Sequence, residues 1–423
     1  MYRMSTIDWA DDRRDRMMPA MQLPPRSRSL TAILGALSAL PSLSVDIGLP
    51  AAPAVAIGLA VSPGDVQATL SGFLVGFAIG QLAHGAVADR LGRRPALLAG
   101  LALFVAAGAV CAATRSLAVL VAMRGLQGVG ACAGVVVARA MIRDMFEPSA
   151  GVRNQSILSL ASNLGTLIGP VLGGLLVTRA GFRAVYGVLP AVGALVLAVC
   201  ARWLPETRPP AASGRAPRLG YRHVVTQWRV IAPALCNGVV FAGLFACIAA
   251  APQLLLGQFG VSPAGLGGFF ALAALASLAG SGLNHALLPR SSPSRLSALG
   301  LALIGVATLA LGAAACATPR IELVAGAILL DMFACGIVMP NAISAAMSPL
   351  PRLAGTVAAV IGCVQAGFGA AAVALVGLAS GSLAGLGAVV ASFSLPGIAL
   401  GAAVLTGPSP RRALHACATG GQP

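Results

Sequence analysis

Three ionisable side chains lie deep inside long apolar runs: Asp46, Arg124 and Asp331. A carboxyl group in apolar surroundings can take up and release a proton, whereas an arginine keeps its charge and sets the local potential. At 1.5 Å per residue, Asp46 lies about 24 Å into its run and Arg124 about 10 Å into its own. In a hydrocarbon core about 30 Å thick, those levels could meet. The expected chemistry is proton carriage at Asp46, tuned by Arg124; the competing reading is a permanent ion pair locking two helices together. Asp331 falls near the middle of a later run. A second proton site, a substrate-attracting charge and a structural acid are all open readings for it. Other polar residues recur at helical spacing: Ser38 and Ser42 before Asp46, then Gln155, Ser159, Ser162 and Thr166, then Ser277, Ser281 and Asn284. Each stripe either faces a polar path or hydrogen-bonds a neighbouring helix.

The elements that must position these residues follow from composition. The 423 residues are 57% hydrophobic and 9% charged, with 52 glycines. That leaves too little polar surface to cover a soluble globule. Runs of about 20 apolar residues, enough for a spanning helix, can be read at 30–57, 67–88, 96–114, 117–138, 155–178, 184–204, 230–252, 264–288, 296–317, 321–346, 354–379 and 383–406. None shows the alternation of a β-barrel strand. The fold class expected is an all-α membrane protein with twelve transmembrane helices in two six-helix bundles. Its domains would be a tail at 1–29, a bundle at 30–205, a linker at 206–229, a second bundle at 230–406 and a tail at 407–423. Pro205-Glu206-Thr207-Arg208-Pro209-Pro210 marks the linker, and a six-and-six division implies a substrate path between repeats near the bilayer midplane.

Charge gives an orientation. All 28 basic residues are arginines and the formal net charge is +16. The arginines alternate with the loops instead of forming one soluble basic face, which speaks against nucleic acid. Only Arg115, Arg179, Arg183 and Arg320 fall on the side opposite the N-terminus, so both termini are expected in the cytoplasm. Nine cysteines show no CxxC spacing and four histidines show no ligand spacing, so neither a disulfide framework nor a metal site is expected. Without lysine there is no Walker A lysine, and energy must come from outside the chain.

Between the second and third runs stands Gly85-Ala-Val-Ala-Asp89-Arg90-Leu-Gly92-Arg93-Arg94. Its glycines permit a tight turn, Asp89 can pair near a helix end, and the arginines suit a helix C-terminus and an anionic leaflet. This loop resembles the signature of the major facilitator superfamily, in which it latches two bundles at the inner face. Arg124-Gly125-Leu126-Gln127-Gly128, continuing to Arg139 and Arg143-Asp144, resembles the fourth-helix motif of drug:proton antiporters, where the arginine is implicated in proton handling. Gly165-Thr-Leu-Ile-Gly169-Pro170-Val-Leu-Gly173-Gly174 is similar to their fifth-helix motif, whose Gly-Pro bend controls leak and bundle contact. Ser44-Val-Asp46-Ile-Gly48-Leu-Pro50-Ala-Ala-Pro53 resembles the first-helix signature of the bicyclomycin and chloramphenicol resistance group, with Gly48 in place of the usual aromatic. Gly336-Ile-Val-Met-Pro340-Asn341, Gly355 and Gln365 fit the same group.

The resemblance implies a proton-coupled multidrug exporter of the bacterial inner membrane. It would be a monomer and not an enzyme, with a small-molecule drug, protons and the lipid bilayer as partners, no nucleic acid, and no cofactor beyond the proton gradient. Proton coupling is expected at Asp46 and Arg124, with Asp331, an acid outside the group's pattern, as a further candidate. The substrate cavity is expected at Ser42, Phe73, Phe77, Asn237, Phe241, Phe245 and Gln365, since a drug site needs aromatic and polar groups on its wall. A proton symporter of the same superfamily and a non-transporting receptor or scaffold are the alternatives.

Overall fold

A computed structural model describes residues 25–145, 148–208, 218–316, 320–350, 353–379 and 382–405. Residues 1–24 and 406–423, including Cys417, lie outside them, and the first helix starts at Pro25, inside the segment expected as tail. Among the described residues, eleven helices are long and apolar enough to cross a bilayer. One of these is a 44-residue stretch, Leu160–Trp203, broken by the left-handed backbone of Gly181 at φ 75°. It supplies two spans, and each of the twelve runs is helical over its described residues, the first interrupted by a turn at Ile47 and Gly48 directly after Asp46. The turn expected between the fifth and sixth spans is reduced to that one glycine, because no β-carbon obstructs its conformation.

In chain order the elements are α1 (Pro25–Asp46), α2 (Ala52–Leu59), α3 (Pro63–Leu91), α4 (Arg93–Ala113), α5 (Leu117–Met145) and α6 (Pro148–Trp203), the helix broken at Gly181. The short α7 (Arg218–Thr226) follows, within the segment read as linker. Then come α8 (Trp228–Pro252), α9 (Pro263–Leu287), α10 (Pro293–Cys316), α11 (Ile321–Met347), α12 (Ala354–Leu378) and α13 (Leu383–Leu405). Local chemistry sets several starts. Ser62 and Asp65 form a reciprocal capping box ahead of Pro63, and Ser262 caps α9 ahead of Pro263. Both place proline at the first helical position, where its missing N–H costs nothing.

The helices pack in two groups. α1, α3, α4, α5 and α6 contact one another, as do α8 to α13, and the groups meet chiefly where α3 touches α12 and α6 touches α9. Small residues set the approach within each group. A β-carbon on Gly76 would collide with the Gly125 backbone, and one on Gly336 with that of Ser277. Lipid offers no hydrophobic drive between helices, so such close contact supplies the packing attraction. The third polar stripe belongs here. Asn284 of α9 and Asn341 of α11 are buried and exchange amide hydrogen bonds, the shorter 2.9 Å, which ties two helices of one group together.

Candidate functional site

Between the two groups lies a cavity of about 780 Å³. The first group contributes Ser38, Ser42 and Asp46 from α1, Phe73, Phe77 and Gln81 from α3, Arg139 and Arg143 from α5, and Ser162 and Thr166 from α6. The second contributes Phe241, Phe245 and Ile248 from α8, Ile343 and Met347 from α11, and Gly355, Gly362 and Gln365 from α12. The α1 stripe therefore faces a polar path over its whole length, and the α6 stripe does so at Ser162 and Thr166. The side chains of Gln155 and Ser159 lie outside the described residues.

The cavity reaches one end of the molecule. Its wall extends to Arg143, Met347 and Gly355, at the end where α3 turns into α4; this is the loop end. At the far end, where α2 meets α3, the groups are joined. Gln67 Nε2 donates to the Ala249 carbonyl at 2.8 Å and Gln253 Nε2 to the Pro63 carbonyl at 3.1 Å. Gly64 and Gly377 pack backbone to backbone. Pro170 and Gly174 of α6 lie against Gly267 and Pro263 of α9. The Gly-Pro segment thus has two faces. Gly165 and Gly169 receive α1 at Ala39 and Asp46, and Gly173 the residue after it, Ile47, while Pro170 and Gly174 form the seam with the other group.

Asp46 is 7% exposed and sits at the inner, closed part of the cavity, with the Thr166 hydroxyl as its side-chain hydrogen-bond partner. Arg124 is at the same level, as counting along the helices predicts, but the two do not pair. Its guanidinium is turned out of the cavity, donating to the Ser44 carbonyl at 2.9 Å and to Gln127 Oε1 at 2.7 Å. The Phe73 ring covers it, 4.5 Å from the centroid. It lines a separate, water-sized cavity of about 30 Å³ with Gln67, Thr69 and Tyr186. The locking ion pair is therefore absent, and Phe73 stands between the cation and the cavity. Asp331 is 2% exposed and does not line the cavity. It faces the interior of the second group, where the Cys335 thiol donates to it at 3.8 Å and Cys247 of α8 is its neighbour.

Of the residues expected to line a drug site, Ser42, Phe73, Phe77, Phe241, Phe245 and Gln365 do so. Asn237 does not. It is fully buried, turned into the second group with Nδ2 donating to the Met339 carbonyl at 3.3 Å, because one helical turn separates it from the cavity-facing Phe241 at a point where α8 lies against α11. Sequence reading missed Gln81, Arg139 and Arg143 as wall residues. The last two were visible only as part of a motif.

At the loop end, Gly92 adopts φ 107° and reverses the chain between α3 and α4. Arg93 Nη1 donates to Asp89 and Arg93 Nε to Asp144 at 2.9 Å. Glu206, which follows α6, accepts from the backbone amides of Arg93 at 2.9 Å and Arg94 at 3.1 Å. Arg94 reaches the Ala201 carbonyl, and Arg208 reaches that of Arg90. The motif's charges thus hold α3, α4, α5 and the end of α6 together within one group. From the linker, Tyr221 approaches Gly85.

The description Major Facilitator Superfamily matches residues 34–374. The chain belongs to that superfamily. Multidrug resistance protein D of Escherichia coli (strain K12) is 31% identical over 80% of this chain and 86% of its own length. A bicyclomycin resistance protein homolog of Haemophilus influenzae is 30% identical over 80% and 86%, and a chloramphenicol resistance protein of Pseudomonas aeruginosa 31% over 78% and 80%. A solved structure of a bacterial homolog to the human lysosomal transporter Spinster, inward-facing and occupied, superposes with a TM-score of 0.68 at 16% identity, over 90% of this chain and 97% of that one. A D-xylose-proton symporter gives 0.64 at 14%, over 81% and 88%. These two share the fold. As a major facilitator the chain is a multi-pass membrane transporter and not an enzyme, and the drug-resistance relatives are those of the group read from the first-helix signature.

Proposed function

We propose that this chain exports small amphiphilic drugs across the bacterial inner membrane in exchange for protons, by alternating access. The observation that carries the reading is the position of Asp46. It is a carboxyl group at the closed end of a cavity large enough for a drug, beside aromatic walls. Apolar and aromatic lining with a few convergent polar groups is the expected character of a small-molecule site, and an acid facing a membrane cavity is the usual carrier of a coupled proton.

The arginine distribution assigns the loop end and both termini to the cytoplasm, which makes the described conformation inward-facing. Drug enters from the loop end and lies against Phe77, Phe241 and Phe245. The groups then rock about their seam, the far end opens, and drug leaves outside. Proton uptake at Asp46 from that side replaces it and favours return. Arg124, fixed behind Phe73, keeps a positive potential on α1 throughout the cycle. The domain boundaries at 206–229 follow from the same reading, since the linker must accommodate the rocking of one bundle against the other.

The test uses proteoliposomes loaded with a fluorescent drug and an imposed pH gradient. Expulsion accelerates with the gradient in the unaltered protein. In Asp46→Asn the dependence on the gradient disappears while drug binding in detergent persists. Gradient-driven export that survives in Asp46→Asn refutes the assignment.

A further inference from the structure

The cavity has a charged end remote from Asp46. Arg139 and Arg143, one turn apart on α5, both line its loop end and both are exposed to it. No carboxylate pairs with either among the described residues. Of the acids that follow them in sequence, Asp144 is held by Arg93 and Glu147 lies outside the described residues. The facing group offers no replacement, because the only acids after residue 206 are Glu322 and Asp331. Glu322 lies in the first turn of α11 at the far end, and Asp331 is buried within its own group. The first turn of α12 lines the same end at Ala354 and Gly355, and its N-cap Leu353 brings no side-chain acceptor. Its free amides add to the positive potential.

Arginines near a cytoplasmic surface ordinarily answer anionic lipid, but these two face the cavity, where lipid headgroups do not surround them. Two fixed cations in a water-filled cleft with low-dielectric walls concentrate anions there. Along α5, Arg139 lies fifteen residues, about 22 Å, from Arg124, and Arg124 bonds the α1 backbone beside Asp46. An anionic group at the loop end therefore stays well clear of the Asp46 carboxyl. Phe77 and Phe241 lie in the same cavity.

Building on the export reading, we infer that the preferred substrates are amphiphilic organic anions, with the anionic group at Arg139 and Arg143 and the apolar body on the phenylalanines. Two xanthene dyes of similar shape and opposite charge, fluorescein and rhodamine 6G, provide the probe. Their binding to the detergent-purified full chain is measured by fluorescence polarisation, which depends on neither proton coupling nor transport direction. Fluorescein binds about tenfold more tightly than rhodamine 6G, the scale of two solvent-screened ion pairs, and the preference shrinks as salt is raised. Arg139→Gln with Arg143→Gln erases the preference while rhodamine 6G still binds, which also certifies the fold. Arg139→Lys with Arg143→Lys keeps it. Equal affinities in the unaltered protein, or an undiminished fluorescein affinity in the glutamine variant, overturn the inference. Competition by salicylate supports a free organic anion; competition by short-chain phosphatidylglycerol alone overturns that source in favour of a lipid headgroup. Charge-selective binding without gradient-driven export would leave this inference standing and defeat the antiport reading, and the converse result would do the opposite.

Discussion

Asp46 and Arg124 serve different cavities, one facing the large cleft and the other a water-sized pocket behind Phe73. Their common level was legible from counting along the helices. Their separation was not, because it depends on which way each side chain leaves its helix once α1 is seated on α5 and α6. Glu206 illustrates the same limit. In sequence it opens a linker; in the fold it crosses 113 positions to cap the start of α4. The signal available was electrostatic: Arg93 and Arg94 begin a helix, where an anion is favoured, and acids are scarce in this chain. Partial desolvation alone would raise the Glu206 carboxyl, but it is outweighed by amides of Arg208, Arg93, Arg94 and Thr207, which hold it below the ordinary value of 4.5. The lowered value means that the folded state favours the ionised form. The stabilisation is complete above the ordinary value and is lost as pH falls through the lower folded one. Glu206→Gln is expected to cost about 1 kcal/mol at neutral pH, a charged-acceptor contribution discounted for solvent exposure. In thermal denaturation the gap between the two proteins narrows at pH 3.5; a gap that stays constant from pH 7 to 3.5 would remove the carboxylate from this role.

At the scale of elements, the twelve spans were legible because lipid demands long apolar runs with every backbone group paired internally. The antiporter-like α6 was legible as a glycine-rich helix, but not the division of labour along it. Successive turns at Gly165, Gly169 and Gly173 meet α1 and the residue just after it, while Gly174 turns to the other group. What distinguishes these glycines is what a side chain would meet. At Gly173 an added β-carbon would run into the Ile47 backbone, which cannot rotate aside, whereas at Gly312 of α10 there is open space. Gly173→Ala should therefore cost about 1–3 kcal/mol by forcing α1 from α6. Gly312→Ala should be neutral or stabilising by up to about 1 kcal/mol through helix propensity. Unfolding of both variants in mixed micelles measures the difference. Equal stabilities would mean that α1 and α6 do not approach each other as described.

For the whole molecule, the far end is closed by contacts that reciprocate between the groups. Gln67 of α3 donates to the α8 backbone, and Gln253, just beyond α8, donates to the start of α3. Each is a single hydrogen bond to a neutral carbonyl, with a net value of about 1 kcal/mol. Together with the apposed backbones of Gly64 and Gly377 they make a closure that can be broken within a transport cycle. An alternating-access carrier needs that weakness, since a stronger seal would trap one state. Nothing in the sequence marked Gly64 and Gly377 as neighbours, because 313 residues separate them and neither lies in a motif. Their apposition gives a direct test of the cycle. A β-carbon on either glycine would meet the other's backbone, so the cysteines go beside them: with the exposed Cys316 and the tail's Cys417 replaced by serine, Pro63→Cys and Gln253→Cys, which already meet across the seam, should cross-link with a short bifunctional thiol reagent. Cross-linking should abolish transport while leaving dye binding from the loop end intact, and cleaving the cross-link should restore transport. Full transport in the quantitatively cross-linked protein would show that the far end does not open, and the drug path would have to lie elsewhere.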